Sequence, residues 1–154
     1  MLKLLSHSEE DTKKYAKHLA SFLKSGDIII LSGNLGSGKT KFTEGILDFY
    51  GLSDEISSPT FTIVNEHYAS STKIYHFDVY RLCDIDEFFA IGGEDYFCNG
   101  ICIIEWGEML EKILPKQYLK ILFESSDENS NLRYLYFEPH GDRFENIVER
   151  MGNS

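Results

Sequence analysis

Cysteine is scarce in this sequence, and the few cysteines present exclude two kinds of stabilising framework. Cys83, Cys98 and Cys102 are odd in number and form no C-x-x-C pairs. Neither a disulfide framework nor a zinc site is therefore supported. We expect reduced, buried thiols instead.

Positive charge is also low, which argues against a nucleic-acid-binding protein. The chain has 15 Lys and Arg against 25 Asp and Glu, for a formal net charge of −10. Such a charge repels a nucleic-acid backbone and gains no affinity by counterion release. We therefore expect no strong direct binding to RNA or DNA.

Long apolar runs, internal repeats and low-complexity segments are missing as well. No run approaches the ~20 apolar residues of a membrane helix, so no membrane association is expected. The first residues, MLKLLSHSEED, reach acidic side chains too soon for a secretory signal. The length of 154 residues predicts one soluble, cytoplasmic domain over residues 1 to 154, with disorder expected only in the last few.

Hydrophobic periodicity predicts strands and helices along the whole chain. The unbroken β-branched runs at residues 27 to 32 and 101 to 104 are typical of strands buried on both faces of a parallel sheet. Helices or helical turns are predicted at residues 8 to 24, 39 to 50, 84 to 97 and 144 to 151. Antiparallel hairpins are predicted at residues 61 to 68 with 73 to 80, and at 118 to 124 with 132 to 138. The expected fold is an α/β, three-layer domain with a mixed, mainly parallel central sheet.

Residues 33 to 40, GNLGSGKT, fit the phosphate-loop pattern G-x-x-x-x-G-K-[ST]. The pattern follows a predicted strand and opens a predicted helix, so the domain is expected to be P-loop NTPase-like. Lys39 would reach the β- and γ-phosphates, and the Thr40 hydroxyl would bind Mg²⁺. Backbone N–H groups would cradle the phosphates along the loop formed by Gly33, Asn34, Leu35, Gly36, Ser37 and Gly38.

Two carboxylates stand where a magnesium nucleotide needs one. Asp78 follows the strand-like run KIYHF, and Glu105 follows ICII. Phosphate-loop folds place a metal-binding acid at the end of a buried strand beside the loop. Asp78 could instead be a turn residue, and Glu105 could be an acid at the start of a helix.

Four further side chains are candidates for the same site. Thr60, in SSPTF, lies where nucleotide switches sense the γ-phosphate, although Ser-Pro is also ordinary turn chemistry. His76 shares a strand face with Asp78, so it could orient a water or the carboxylate, or be a core histidine. Arg81 could pair with phosphate or with a nearby aspartate, and Trp106 could be core or a base platform.

These motifs, in this order, resemble the TsaE family, also called YjeE. GNLGSGKT is similar to its phosphate loop, SSPTF to its switch-like segment, HFDVYRL to its H-x-D-x-Y-R block and IIEWGE to its strand-ending E-W. The resemblance spans residues 8 to 140. It implies a small bacterial ATPase required to form threonylcarbamoyladenosine in tRNAs that read ANN codons. Such a protein acts with TsaD and TsaB, resetting or activating their complex without making the modification itself.

The resemblance also implies roles for individual residues. Lys39 would bind phosphate, Thr40 and Glu105 would hold Mg²⁺, and Asp78 would position water or the shell of the metal. Thr60 would lie near the γ-phosphate, and Thr12 is similar to a nucleotide-contacting threonine of the N-terminal helix.

The sequence departs from the family pattern at two positions. Lys41 stands where many relatives have a second Thr, and Gly107 stands where Pro commonly follows E-W. The first change leaves no second hydroxyl after the phosphate loop. The second is expected to loosen the start of the following helix without removing a site residue.

We expect weak ATPase activity from the isolated protein, with activation by the partner complex. Apart from Arg81, no arginine in the chain is a candidate for the arginine finger that is worth roughly 10³–10⁵ in rate elsewhere. A small-molecule kinase is a rival reading, but residues 84 to 97, which could form its lid, contain no Arg or Lys. A nucleotide-gated adaptor with negligible hydrolysis would use the same residues as an ATPase.

Overall fold

The computed structural model describes residues 1–33, 38–52, 64–79, 84–126 and 132–153. Thr60 and Arg81 lie outside these residues. The helices are α1 (Glu9–Ala20), α2 (Lys39–Phe49), α3 (Ile85–Ala90) and α4 (Asp142–Gly152), with 3-10 turns at Gly93–Tyr96 and Gly107–Leu110. The strands are β1 (Leu2–Ser6), β2 (Ile28–Gly33), β3 (Val64–Tyr68), β4 (Lys73–Asp78), β5 (Ile101–Glu105), β6 (Tyr118–Ser125) and β7 (Arg133–His140).

The strands form one mixed sheet in the order β1-β7-β6-β2-β5-β4-β3. The four central strands, β6, β2, β5 and β4, are parallel to one another. The outer pairs, β1 with β7, β7 with β6, and β3 with β4, are antiparallel. The predicted mixed sheet is therefore confirmed, with its parallel pairs concentrated at the centre.

The central position of β2 and β5 in the sheet explains why their sequences are unbroken apolar runs. Helices α1, α2 and α4 cover one face of the sheet, around Leu31, Phe42 and Phe137. Helix α3 and the 3-10 turns pack with the other face, around Ile30, Phe77 and Phe88. A strand covered on both faces has no solvent side and so loses the polar alternation. The three-layer α/β prediction is confirmed.

Helix α1 begins within one residue of its predicted start and lies beside α2. The Ser8 side chain accepts a hydrogen bond from the Asp11 backbone N–H at 3.1 Å. At Gly45 the two helices are so close that a Cβ atom would lie 2.6 Å from Ala16 Cβ and 2.7 Å from Lys13 O. Glycine at this position permits the close contact of the two helices.

Replacing Gly45 with alanine is expected to destabilise the fold by about 1–3 kcal/mol, because the added methyl overpacks the α1–α2 contact. Alanine also gains about 1 kcal/mol in helix propensity over glycine, which offsets part of this loss. Urea unfolding followed by circular dichroism measures the change. Gly152→Ala is the matched control, because a Cβ there would meet only Leu2 Cδ1 at 3.4 Å. A Gly45→Ala variant as stable as the wild type would contradict the steric argument.

A partly buried ion pair joins α4 to the residue before β2. The Arg143 side chain, at the start of α4, donates from Nε to Asp27 Oδ1 at 2.8 Å and from its NH2 nitrogen to Asp27 Oδ2 at 2.6 Å. The same nitrogen donates to Phe22 O at 2.8 Å. The hydrogen bond to Asp27 raises the pKa of Arg143. This bidentate contact joins α4 to the residue that precedes β2.

Some sequence-based expectations need correction. Strand β1 has no counterpart in the predicted elements, and α1 ends at Ala20, before the predicted limit. Cys98 is exposed, contrary to the expected burial, whereas Cys102 is buried and both are free thiols. Burial raises the pKa of Cys102 to about 12, so this thiol stays protonated at neutral pH. Cys83 lies outside the described residues.

Most other elements agree with expectation. Both predicted hairpins form, the one between β3 and β4 described from Val64 onward. Gly51 has φ 76° and follows the C-cap of α2, so this helix ends within its predicted range of 39 to 50. In the part of the chain that the structure describes, no helix has the length and apolar character needed to cross a membrane.

Candidate functional site

The candidate site lies where β2, β5 and β4 end. These strands are parallel and adjacent, so their carboxyl ends meet at one edge of the sheet, the usual position of ligand sites in such folds. The register pairs Leu31 with Glu105 and Glu105 with Asp78. The two predicted carboxylates are therefore neighbours, and the phosphate-loop pattern begins two residues beyond Leu31.

The described glycines at either end of the phosphate-loop pattern have backbone reasons for being glycine. Gly33 has φ 142° and Gly38 has φ 108°, both in the region that side chains rarely adopt. Gly38 is the N-cap of α2, so the first turn of that helix directs its N–H groups toward the loop. Residues 34 to 37, Asn34, Leu35, Gly36 and Ser37, lie outside the described residues.

The Lys39 side chain is held at the end of β2. Its Nζ donates to Gly33 O at 2.6 Å and lies 3.6 Å from the centroid of the Trp106 ring. The residue is only 5% exposed. An ammonium group in such a position gains from the carbonyl dipole and from the negative face of the indole ring. These two contacts hold the ammonium group of Lys39 at the edge of the candidate site.

Trp106 takes an unusual backbone conformation to make this contact. Its φ is +63°, and it is the non-glycine residue with positive φ among the described residues. A bulky residue in that region carries strain of order 1–3 kcal/mol, which typically marks a functional position. The Trp106 N–H donates to Leu31 O at 2.9 Å, which ties the turn after β5 to β2. From the sequence, Trp106 could be a core residue or a base platform. The structure places its ring against the Lys39 ammonium group.

His76 and Glu105 form a second buried contact at this edge. His76 Nε2 lies 2.6 Å from Glu105 Oε2. His76 is 5% exposed and Glu105 is 8% exposed. His76 therefore contacts a carboxylate, but that of Glu105 on the neighbouring strand and not that of Asp78, with which its strand position associated it. No local sequence signal points to this partner, because Glu105 lies 29 residues further along the chain.

Thr40 and Asp78 border the same edge. Thr40 is exposed in the first turn of α2, next to Lys39. Asp78 is partly exposed at the end of β4. Both therefore have solvent access beside the buried Lys39 and Glu105.

Thr12 and Lys41 lie at the neighbouring ends of α1 and α2. Thr12 is buried, with its Oγ1 2.7 Å from Ser6 Oγ. Lys41 Nζ lies 3.1 Å from Glu44 Oε2 and 3.8 Å from Glu9 Oε2. The hydrogen bond to Glu44 raises the pKa of Lys41. The residue that departs from the family pattern thus links the two helices, and nucleotide contact by Thr12 stays a prediction.

The side chains present fit magnesium better than a metal that needs a protein cage. Across the described residues, no three His, Cys, Asp or Glu side chains gather at one point. Mg²⁺ keeps several waters and takes one or two carboxylates plus substrate phosphates. The recorded hydrogen bond of Glu105 uses Oε2, which leaves Oε1 available as an oxygen ligand. Thr40 would add a hydroxyl, so the donor set fits Mg²⁺ bound together with a phosphate ligand.

Comparisons with known proteins find relatives that cover most of this chain. Residues 6–133 match the family model described as threonylcarbamoyl adenosine biosynthesis protein TsaE. A relative in Bacillus subtilis, named tRNA threonylcarbamoyladenosine biosynthesis protein TsaE, is 37% identical over 97% of this chain and 93% of its own length. A relative of the same name in Rickettsia conorii is 39% identical over 82% of this chain and 73% of its own length.

A solved structure has the same fold. The crystal structure of Bacillus subtilis YdiB matches with a TM-score of 0.78 and 34% identity, over 99% of this chain and 94% of that one. The likeness confirms the α/β fold with its mixed central sheet.

Proposed function

This chain belongs to the TsaE family, which functions in tRNA threonylcarbamoyladenosine biosynthesis, and from that premise we propose that it binds ATP with Mg²⁺ and hydrolyses it weakly. We further propose that it acts together with TsaB and TsaD, whose complex it resets or activates. The proposal includes a single cytoplasmic domain over residues 1 to 154 with no strong nucleic-acid binding of its own.

The observation that carries the proposal is the ordered Lys39 beside two strand-ending carboxylates. Lys39 is buried between Gly33 O and the Trp106 ring, so little side-chain entropy remains to be lost when a phosphate binds. Glu105 and Asp78 pair across β5 and β4 at the same edge. A cation for phosphate and oxygen ligands for a divalent ion therefore converge where the loop begins.

The proposal gives each candidate residue a role. The N–H groups of residues 33 to 38 would cradle the phosphates, and Lys39 would neutralise charge on the β- and γ-phosphates. Thr40 and Glu105 would hold Mg²⁺, which when bound neutralises charge that develops on the transferred phosphoryl group. Asp78, being partly exposed, would orient the attacking water. Thr60 would sense the γ-phosphate, and Thr12 would contact the nucleotide.

The proposed partner dependence rests on the arginines of the sequence. Arg81 is the one candidate for an arginine finger, so we propose that full turnover requires a group or a conformation supplied by another protein. The net charge of −10 suits a regulator that docks on a protein complex instead of on tRNA itself.

The kinase alternative loses support from α3. A lid must open, but Phe88 on α3 is fully buried and packs against Phe77 at a ring-centroid distance of 6.0 Å. Gly93, just beyond, contacts the Phe88 ring so closely that a Cβ atom there would clash with it. This segment is therefore part of the core on that face. An adaptor that barely hydrolyses ATP stays the main rival.

The test is a reconstitution of tRNA modification with purified TsaB and TsaD. Wild type and Lys39→Ala, Asp78→Ala and Glu105→Ala variants are assayed for ATP hydrolysis and for threonylcarbamoyladenosine formation. We expect the complex to stimulate wild-type hydrolysis, and we expect all three variants to lose both activities because phosphate, metal or water is no longer held.

Three results of that experiment would contradict the proposal. Modification that survives all three substitutions would exclude the role. Turnover that is equally fast with and without TsaB and TsaD would exclude partner activation. Modification that needs ATP binding but proceeds without measurable hydrolysis would select the adaptor.

A further inference from the structure

Glu105 is a buried acid with one partner in the described part of the chain. It is 8% exposed, and its side chain contacts His76. Burying a carboxylate is costly unless hydrogen bonds compensate for the lost water. The contact between His76 Nε2 and Glu105 Oε2, at 2.6 Å, is the compensation that the structure shows.

The sheet register determines how His76 reaches this acid. In the parallel β4–β5 pair, Asp78 lies opposite Glu105, and His76 lies opposite Ile103. Alternate residues share a face, so all three polar side chains lie on one face, with His76 two register positions further from the strand ends. His76 therefore contacts Glu105 from the side facing the middle of the strands, whereas Asp78 lies beside Glu105 at the strand ends.

We propose that His76 is a positioning residue for the magnesium site, an inference that rests on the proposed function. Its Nε2–H donates to Oε2 of Glu105 and restricts rotation of the carboxylate. Oε1 is then the oxygen presented to the metal together with the Thr40 hydroxyl. Hydrogen-bonded partners of metal ligands commonly contribute about 10- to 100-fold to metal affinity.

A direct catalytic role for His76 is disfavoured by the same geometry. The ring is 5% exposed, and its Nε2 is occupied by Glu105. A general base must reach the proton that it removes, directly or through one water. His76 instead acts through Glu105, so its loss is expected to change metal affinity more than nucleotide affinity.

The experiment measures binding of a fluorescent ATP analogue as a function of Mg²⁺ concentration, and again in EDTA. For His76→Ala and the bulkier His76→Phe we expect the half-saturating Mg²⁺ concentration to rise by about 10- to 100-fold. Binding in EDTA should be unchanged. His76→Gln, whose amide can donate a hydrogen bond, should recover part of the Mg²⁺ affinity.

Two controls separate positioning from general damage. His67, on β3, is buried to the same degree as His76, so His67→Gln tests the effect of losing a buried histidine elsewhere. We expect no change in Mg²⁺ dependence for this variant. Adding His76→Ala to Glu105→Gln should shift the Mg²⁺ requirement no further than Glu105→Gln alone, because both act on one carboxylate.

The outcomes distinguish this inference from the proposed function. A wild type without Mg²⁺-dependent nucleotide binding would overturn the proposed function. If the wild type shows such binding but folded His76→Ala or His76→Phe keeps wild-type Mg²⁺ affinity, only the positioning role is overturned. Equal losses with Mg²⁺ and in EDTA, or failure of all three variants to fold, would assign His76 a structural role and likewise overturn it.

Discussion

Lys39→Ala is expected to weaken ATP binding by at least about 30-fold. Truncating one partner of a desolvated charge pair costs about 2–5 kcal/mol, and each 1.4 kcal/mol is about tenfold in affinity. The Lys39 ammonium is ordered by Gly33 O and the Trp106 ring before any phosphate binds. Isothermal titration calorimetry with Mg²⁺ and ATP measures the change.

The matched control is Lys41→Ala, two residues further along α2. Lys41 is paired with Glu44 and Glu9 on the solvent side of α1 and α2. Exposed pairs of this kind contribute about 0–1 kcal/mol to stability. We expect near wild-type ATP affinity. Unchanged affinity in Lys39→Ala, or an equal loss in both variants, would contradict a local phosphate-binding role for Lys39.

Arg143→Ala is expected to lower the free energy of unfolding by about 3–5 kcal/mol, because it leaves the Asp27 carboxylate buried without its charge partner. Asp27 is only 4% exposed. Native domains have about 5–15 kcal/mol of stability in total, so this is the largest stability effect that we predict. Urea unfolding gives the change as a shift of the midpoint at constant slope.

Two further variants make the Arg143 prediction specific. Arg150→Ala, an exposed position on the same helix, is expected to change stability by less than about 0.5 kcal/mol. Combining Arg143→Met with Asp27→Asn should recover part of the loss, because no charge is then left buried. A loss below about 1 kcal/mol for Arg143→Ala would show that the pair behaves as a surface contact.

The Arg143→Ala variant should lose stability without losing affinity for ATP. Asp27 precedes the first residue of β2, whereas Lys39 follows the end of β2 and Glu105 is the last residue of β5. The ion pair and the candidate site are therefore at opposite ends of the central strands. Below its unfolding transition, Arg143→Ala is expected to retain ATP affinity.

Much of the fold could be predicted because its signals are local. The buried β-branched runs of β2 and β5 and the two hairpins each depend on residues close together in the chain. Strand β1 carried no such signal. It has five residues and pairs with β7 at the other end of the sequence, with Leu2 opposite Phe137. Only that distant partner makes the segment a strand.

The candidate site likewise combines features that are local in the sequence with contacts that depend on the sheet. The phosphate-loop pattern and the two strand-ending acids are local features, and they identified Lys39, Asp78 and Glu105 as candidates. Their neighbours depend on the sheet. The His76–Glu105 contact joins residues 29 apart, and the approach of Lys39 to Trp106 requires β2 and β5 to be adjacent and parallel.

The sequence by itself determined the family, the α/β fold and the candidate ligands for phosphate and metal, because each depends on a short pattern of residue types. Only the tertiary structure decided that Trp106 contacts Lys39, that His76 contacts Glu105 and that Lys41 links α1 to α2. The physical reason is that these contacts arise from strand order, register and helix packing. Those are properties of how the whole chain is assembled, and no single segment specifies them.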